Sequence, residues 1–406
     1  MKLTDNKKYR KIYLILIIIY TLFVIGLYTG LFEKITEILE VERQNVPGTR
    51  DLYFCVYNFP AGDASDTAFL AFSTLINIYL LIDYFIFYKI TGRKKMLFVL
   101  LSVIIIWFGT EAIYWDAIKK HQTMFTPHPV WLWQVTPNHR NYEYFEDTKV
   151  NSNNYGFRNP DFPIKKPNGQ FRVMVIGDSS AHGFKVKENE TFSVLLEEKL
   201  KELNPGKDIL VINAATPGST TTMGRVFFEE FGHKFEPDVL IISFNNDNMP
   251  ERETDQSRIP RGITRQIKKL MYKSAIYLGL RKEIVNRQVS SNPSLAIIRP
   301  GEKTINRVPI TEYKDNIRYF KDYADRHGAG MIVLQMPKVH IAPDYFKALE
   351  EAAKENKCFY IDILTQWKGL PPSEMFCPDE LHPTAKGHKE IARALTDLFS
   401  GEKLVK

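Results

Sequence analysis

The stretch Phe171-Arg-Val-Met-Val-Ile-Gly-Asp-Ser-Ser180 decides how the rest of the chain is read. It is mostly apolar from Phe171 to Ile176 and closes on Gly177, Asp178 and Ser179, so it predicts a buried strand that stops in a sharp turn. In an open α/β sheet, ligands bind beyond the carboxyl ends of the strands. The Ser179 hydroxyl therefore stands where a nucleophile is useful. An ordinary β-turn is the plain alternative, and the choice depends on whether the chain also supplies a base, an oxyanion site and a scaffold.

Working outward towards the carboxyl end, strand and helix signals alternate. Glu190 to Leu203 has helical apolar spacing, Ile209 to Asn213 reads as a strand, Thr221 to Phe235 as a helix and Val239 to Phe244 as a strand. A helical insertion across 261–287 follows, then a helix from Thr311 to Arg326. Strand Met331 to Gln335, helix 344–356, strand Phe359 to Ile363 and helix Thr384 to Phe399 complete the pattern. The alternation predicts an α/β fold, a three-layer sandwich with a mostly parallel sheet, because parallel strands need crossovers that the helices supply.

Towards the amino end the chain changes character. Apolar runs at about 12–32, 68–90 and 96–114 are long enough to cross a bilayer of roughly 30 Å as helices. A cleaved signal peptide is the alternative for the first run, but its length and the segment Tyr28 to Glu33 fit poorly with a cleavage site. Asp83 in the second run is expected to face another helix or a hydrated boundary. The formal charge of +7 is concentrated in Lys2, Lys7, Lys8, Arg10 and Lys11, and in Lys89, Arg93, Lys94 and Lys95. The remainder is near neutral, which argues against nucleic acid as a partner. Both patches are expected on the cytoplasmic side, which puts everything after about residue 116 in the periplasm or outside the cell.

The expected organisation is a membrane region over 1–115, an extracytoplasmic connector or platform over 116–170, a catalytic domain over 171–400 and a tail at 401–406. The connector is rich in proline and aromatics; Trp131, Trp133, Tyr142 and Tyr144 are candidates for stacking on sugar rings, or else pack the connector in place. Cys55, Cys358 and Cys377 match no metal or redox spacing. An oxidising location makes a Cys358–Cys377 disulfide permissible.

Asp379-Glu-Leu-His382, in a loop before the last helix, is the second strong signal. A carboxylate three residues from an imidazole can orient it while its other nitrogen reaches a serine. The plain alternative is a turn cap beside a surface histidine. Between the two signals, Asn213-Ala-Ala-Thr-Pro-Gly218 follows the second strand and Phe244-Asn-Asn-Asp247 the third. The Ser179 N–H, the Gly218 N–H and the Asn246 amide are candidate donors to an oxyanion, with Asn245 competing for the amide role.

Together these blocks resemble the SGNH hydrolase, or GDSL-type esterase, superfamily, over about residues 125–400. Gly177-Asp178-Ser179 with Gly183 is similar to its nucleophile block, Asn213 to Gly218 to the second, Asn245-Asn246-Asp247 to the third and Asp379 to His382 to the last. Asn153 to Arg158 is similar to its approach segment. Phe244 stands where the third block commonly has glycine, and its ring is expected to narrow the site or displace the backbone beside Asn246.

The resemblance implies Ser179 as nucleophile, His382 as general base and Asp379 as its orienting carboxylate, with neither cofactor nor metal. Asp178 is expected to stabilise the turn, and His182 to pack a loop or touch substrate. The expected function is a membrane-anchored serine esterase removing O-acyl groups from an extracytoplasmic cell-envelope glycan. O-acyl transfer to such a glycan, lipid-ester hydrolysis and a non-catalytic envelope-binding protein are the alternatives. A membrane-protein partner in a larger envelope-modifying complex is compatible with the three spans.

Overall fold

The computed structural model describes residues 124–145, 148–279, 281, 298, 301–336 and 343–405, together with short helical pieces at 14–15, 18, 107–112 and 115. The three expected membrane spans otherwise lie outside the described residues. Among the described residues no helix is long and apolar enough to cross a membrane.

The proline-rich segment folds as short antiparallel pairs. Strand β1 (Phe125–His128) pairs with β2 (Leu132–Val135), and β3 (Tyr142–Phe145) with β4 (Thr148–Val150). This segment belongs to the same compact unit as the sheet, which comprises Thr123–Lys268 and Ile298–Lys406.

The sheet is built from β5 (Phe171–Gly177), β6 (Ile209–Asn213), β7 (Val239–Ser243), β10 (Gly330–Gln335) and β11 (Phe359–Asp362), while β8 (Pro250–Glu251) and β9 (Ile305–Asn306) form a separate small pair. Its order is β11-β10-β7-β5-β6, with every pair parallel. Alternation along β5 divides the core, since successive strand side chains face opposite sides. Val173 and Val175 pack with the helices Phe192–Leu203 and Ala385–Gly401. Met174 and Ile176 pack with Thr221–Glu230, Ile310–His327 and Pro343–Glu355. The result is the three-layer sandwich expected from the sequence.

Strand β5 lies between β6, the next in sequence, and β7, so the chain reverses its direction of travel across the sheet at the β5–β7 boundary. Such a reversal opens a crevice at the carboxyl ends of the two strands. Ser179 follows one of them and Asn245-Asn246 the other.

Three expectations are corrected. The helix expected over 221–235 ends at Glu230, and Gly232–Phe235 continues as a 3-10 turn. The insertion is not one helix: Gly262–Met271 stops, and a second helix starts at Ala275. Cys358 and Cys377 are free thiols, because Cys358 packs against one face of the sheet and Cys377 lies beyond the other. Cys55 lies outside the described residues.

Candidate active site

The nucleophile turn follows from the need to end β5 abruptly. A Cβ on Gly177 would sit 2.2 Å from Ser243 O and 2.6 Å from the Ala181 methyl, so only glycine lets β5 meet β7 here. Asp178 caps the four-residue helix α1 (Ser179–His182), its Oδ1 accepting from Ser180 N at 3.0 Å. Its Oδ2 accepts from Asn245 N at 2.7 Å and from Asn246 Nδ2 at 3.2 Å. The buried carboxylate thus ties the end of β5 to the end of β7, as expected of a turn-stabilising residue. Gly183 ends α1 with φ +88. Arg158, from the approach segment, donates to the carbonyls of His182 at 3.0 Å and Val186 at 2.7 Å and so holds the chain leaving the turn.

The loop before the last helix meets this turn. His382 Nε2 lies 2.9 Å from Ser179 Oγ, although 203 residues separate them. His382 Nδ1 lies 3.0 Å from Asp379 Oδ2. The other Asp379 oxygen accepts from Leu381 N at 3.0 Å and His382 N at 3.1 Å, so the carboxylate is fixed by its own loop. The three residues singled out in the sequence are therefore brought into one hydrogen-bonded line.

Lys185 joins them, its Nζ 2.8 Å from Asp379 Oδ2. Burial alone would raise the Asp379 carboxyl, but hydrogen bonds from Lys185, His382 and the loop backbone carry it well below the usual carboxylate range. His382 is shifted below its ordinary value of 6.5, chiefly by burial, with Lys185 adding to the decrease and Asp379 opposing it. A neutral imidazole beside a hydroxyl can accept its proton, and the anionic carboxylate stabilises the cation that forms. Sequence inspection did not single out Lys185; a basic residue six positions after a serine carries no local signal.

The candidate oxyanion donors gather at the same end of the sheet. Ser179 N–H is at the first position of α1, where helical N–H groups have no acceptor within the helix. Gly218 adopts φ +77, and a Cβ there would lie 3.2 Å from the Trp133 ring. Asn246 Nδ2 lies beside the two backbone donors but donates to Asp178 Oδ2 and to Ser219 O, both at 3.2 Å, so both amide hydrogens are engaged in this geometry. Asn245, its competitor, is held at Asp178 through its backbone and lines a small cavity with Phe244 and Asp247.

Two readings of aromatic residues change. The Phe244 ring is buried against Gly224, where an added Cβ would lie 2.3 Å from Cζ, so it packs into the core. Trp133 is not an exposed sugar platform: it is 2% exposed and donates from Nε1 to Pro217 O at 3.0 Å. Arg307 backs the same loop, donating to Gly218 O at 2.7 Å while paired with buried Asp255 at 2.8 Å. Trp131 is partly buried, stacked on His128. The side chains of Tyr142 and Tyr144 lie outside the described residues. His182 is fully buried, which holds its imidazole neutral, and it packs the turn.

A family model described as the GDSL-like Lipase/Acylhydrolase family matches residues 175–390, from within β5 to the last helix. The chain belongs to this family. The chain is also similar, at low identity, to several solved structures. TesA matches at 15% identity and a TM-score of 0.38, covering 58% of this chain and 99% of its own. A mutant of Axe2, an acetyl-xylooligosaccharide esterase from Geobacillus stearothermophilus, matches at 15% identity and a TM-score of 0.37, covering 55% and 92%. The psychrotrophic esterase EstA from Pseudoalteromonas sp. matches at 15% identity and a TM-score of 0.36, covering 57% and 97%. No curated protein matches the chain.

Proposed function

We propose that this GDSL-family chain is a membrane-anchored serine esterase that removes O-acyl groups from a cell-envelope glycan on the outer side of the membrane. The observation that carries the catalytic part is the line from Ser179 Oγ to His382 Nε2, 2.9 Å, and from His382 Nδ1 to Asp379 Oδ2, 3.0 Å.

Ser179 Oγ attacks the ester carbonyl as its proton passes to His382 Nε2. Asp379 steadies the imidazolium, and the Ser179 N–H and Gly218 N–H receive the oxyanion, joined by the Asn246 amide when it exchanges its Asp178 or Ser219 contact for the oxygen. Collapse expels the alcohol, which takes the proton from His382 and leaves an acyl-serine. Water, deprotonated by the same imidazole, then attacks the acyl carbon; the acid departs and Ser179 regains its proton.

Support for the anchor comes from the three apolar runs and from exposed apolar side chains on the helical pieces, namely Ile15, Ile18, Trp107 and Phe108. The cytoplasmic preference of the two basic patches supports an outward-facing domain. An outward, membrane-held site has acylated envelope glycans within reach, and this is the ground for the substrate class.

The test is direct. The purified chain is expected to release phenol from small aryl acetates and to be labelled by a fluorophosphonate, with S179A losing both. An unlabelled, inactive wild type across several acyl lengths sinks the esterase reading. Faster release of acid from O-acetylated envelope polysaccharide than from phospholipid supports the glycan, and the reverse order transfers the substrate to lipid. Reporters fused after residues 90 and 125 are expected on opposite sides of the membrane, the second outside.

A further inference from the structure

The insertion helix Gly262–Met271 is built inside out. With 3.6 residues per turn, Ile263, Ile267, Leu270 and Met271 fall on one side of it, and Arg265, Lys268 and Lys269 on the other. In a water-soluble domain the apolar side would face the protein. Here it faces away: Ile263 is 74% exposed, Ile267 50%, Leu270 70% and Met271 40%. The basic side is the docked one. Arg265 donates to Glu230 at 2.6 Å and to Pro260 O at 3.0 Å, and Lys268 and Lys269 are half-buried.

We propose that this helix lies in the plane of the outer membrane boundary, its apolar side in lipid and the flanking cations Arg261 and Lys273 among anionic headgroups; the proposal rests on the membrane-anchored reading and adds a second attachment to it. Helices with a compact apolar face bounded by Lys and Arg bind at the headgroup–acyl boundary, immersed by about 5–10 Å. Exposed Arg261 and Lys273 bracket the helix at its two ends, where phosphate groups would meet them.

A separate contact gives the depth. Three residues beyond Met271, Ser274 Oγ and the N–H groups of Ala275 and Ile276 donate to the Glu111 carboxylate at 3.1, 2.5 and 3.3 Å. Glu111 caps this second helix, and it stands near the end of the third apolar run, 96–114, where that run would leave the bilayer on the outer side. The chain emerging from the inside-out helix is thus tied to the place where a membrane span terminates. Lipid is the occupant that satisfies both observations.

The test uses the full chain in vesicles of phosphatidylcholine and phosphatidylglycerol carrying a nitroxide on the acyl chains. A coumarin amino acid is placed at Ile267, at Lys268 on the opposite side, or at Leu22 in the first apolar run. The probe at 267 is expected to be quenched several-fold more than that at 268. Quenching at 22 but not at 267 overturns the in-plane helix while the anchor stands; no quenching at either overturns both. A probe at 267 that is shielded from water yet not quenched by lipid means protein covers the face, which also overturns the proposal. Trypsin cleavage at Arg265, Lys268 and Lys269 of the unmodified chain, slowed several-fold on reconstitution, answers the same question without substitution; an unchanged rate overturns it.

Discussion

The two loops that meet at the candidate active site are held in different ways. The turn after β5 is fixed by tertiary contacts. Asp178 is 1% exposed and bonded to two loops, Gly177 has no room for a Cβ, and Arg158 reaches in from the approach segment. The loop from Cys377 to Thr384 is fixed largely by itself: Asp379 accepts from two N–H groups of its own loop, Cys377 N donates to His382 O at 2.8 Å, and Thr384 caps the last helix. The serine is thus placed by the fold as a whole, and the base by a local motif laid against it. Damage to the first is expected to cost stability, and damage to the second to cost chemistry alone.

The variants that break this contrast follow in order of size. S179A is expected to lower kcat by on the order of 10⁴-fold or more with little change in melting temperature, read by aryl acetate hydrolysis beside thermal unfolding. D379N keeps the loop's acceptor but not its charge, and a loss of ~10²–10⁴-fold in kcat is expected, again with an unchanged melting point. D178A inverts the pattern. It removes the acceptor of the Ser180 and Asn245 N–H groups and of one Asn246 amide hydrogen, and about 2–4 kcal/mol of stability is expected to go, measured by urea unfolding. An Asp178 variant as stable as wild type would erase the distinction between the two loops.

Smaller effects sharpen it. K185M removes a half-buried ion pair, for which ~1 kcal/mol, or about fivefold in kcat/KM, is expected. The pH profile reads the same contact. His382 must be neutral to accept a proton, and its shift lies below 6.5, so activity is expected to persist below that value and fall as the imidazole protonates. Lys185 contributes to that decrease, so in K185M the acid limb should move to higher pH. A limb that moves down, or stays put, would remove Lys185 from the electrostatics of the site.

What was legible in the sequence follows the same division. The sheet could be read because strands buried on both faces carry dense apolar runs with helices between them. Asp379 and His382 could be read because their relation is local, three residues within one loop. Contacts made across the fold left no mark in one dimension. Lys185 reaches Asp379 only after the sheet has formed, and Trp133 supports Gly218 from a hairpin far upstream. Phe244 was misread for a related reason: the substituted glycine was visible, but the space its ring occupies is left by Gly224 on a different helix. The pairing of Cys358 with Cys377 fails on a sheet that lies between them, which proximity along the chain cannot register.

The 203-residue span between Ser179 and His382 makes hydrolysis a property of the finished molecule. A nascent chain emerging amino end first displays its serine early and receives the matching imidazole only when the closing helix is added. Premature termination anywhere before residue 382 therefore yields a fragment that holds the serine but lacks its base, and such a fragment is expected to be chemically silent.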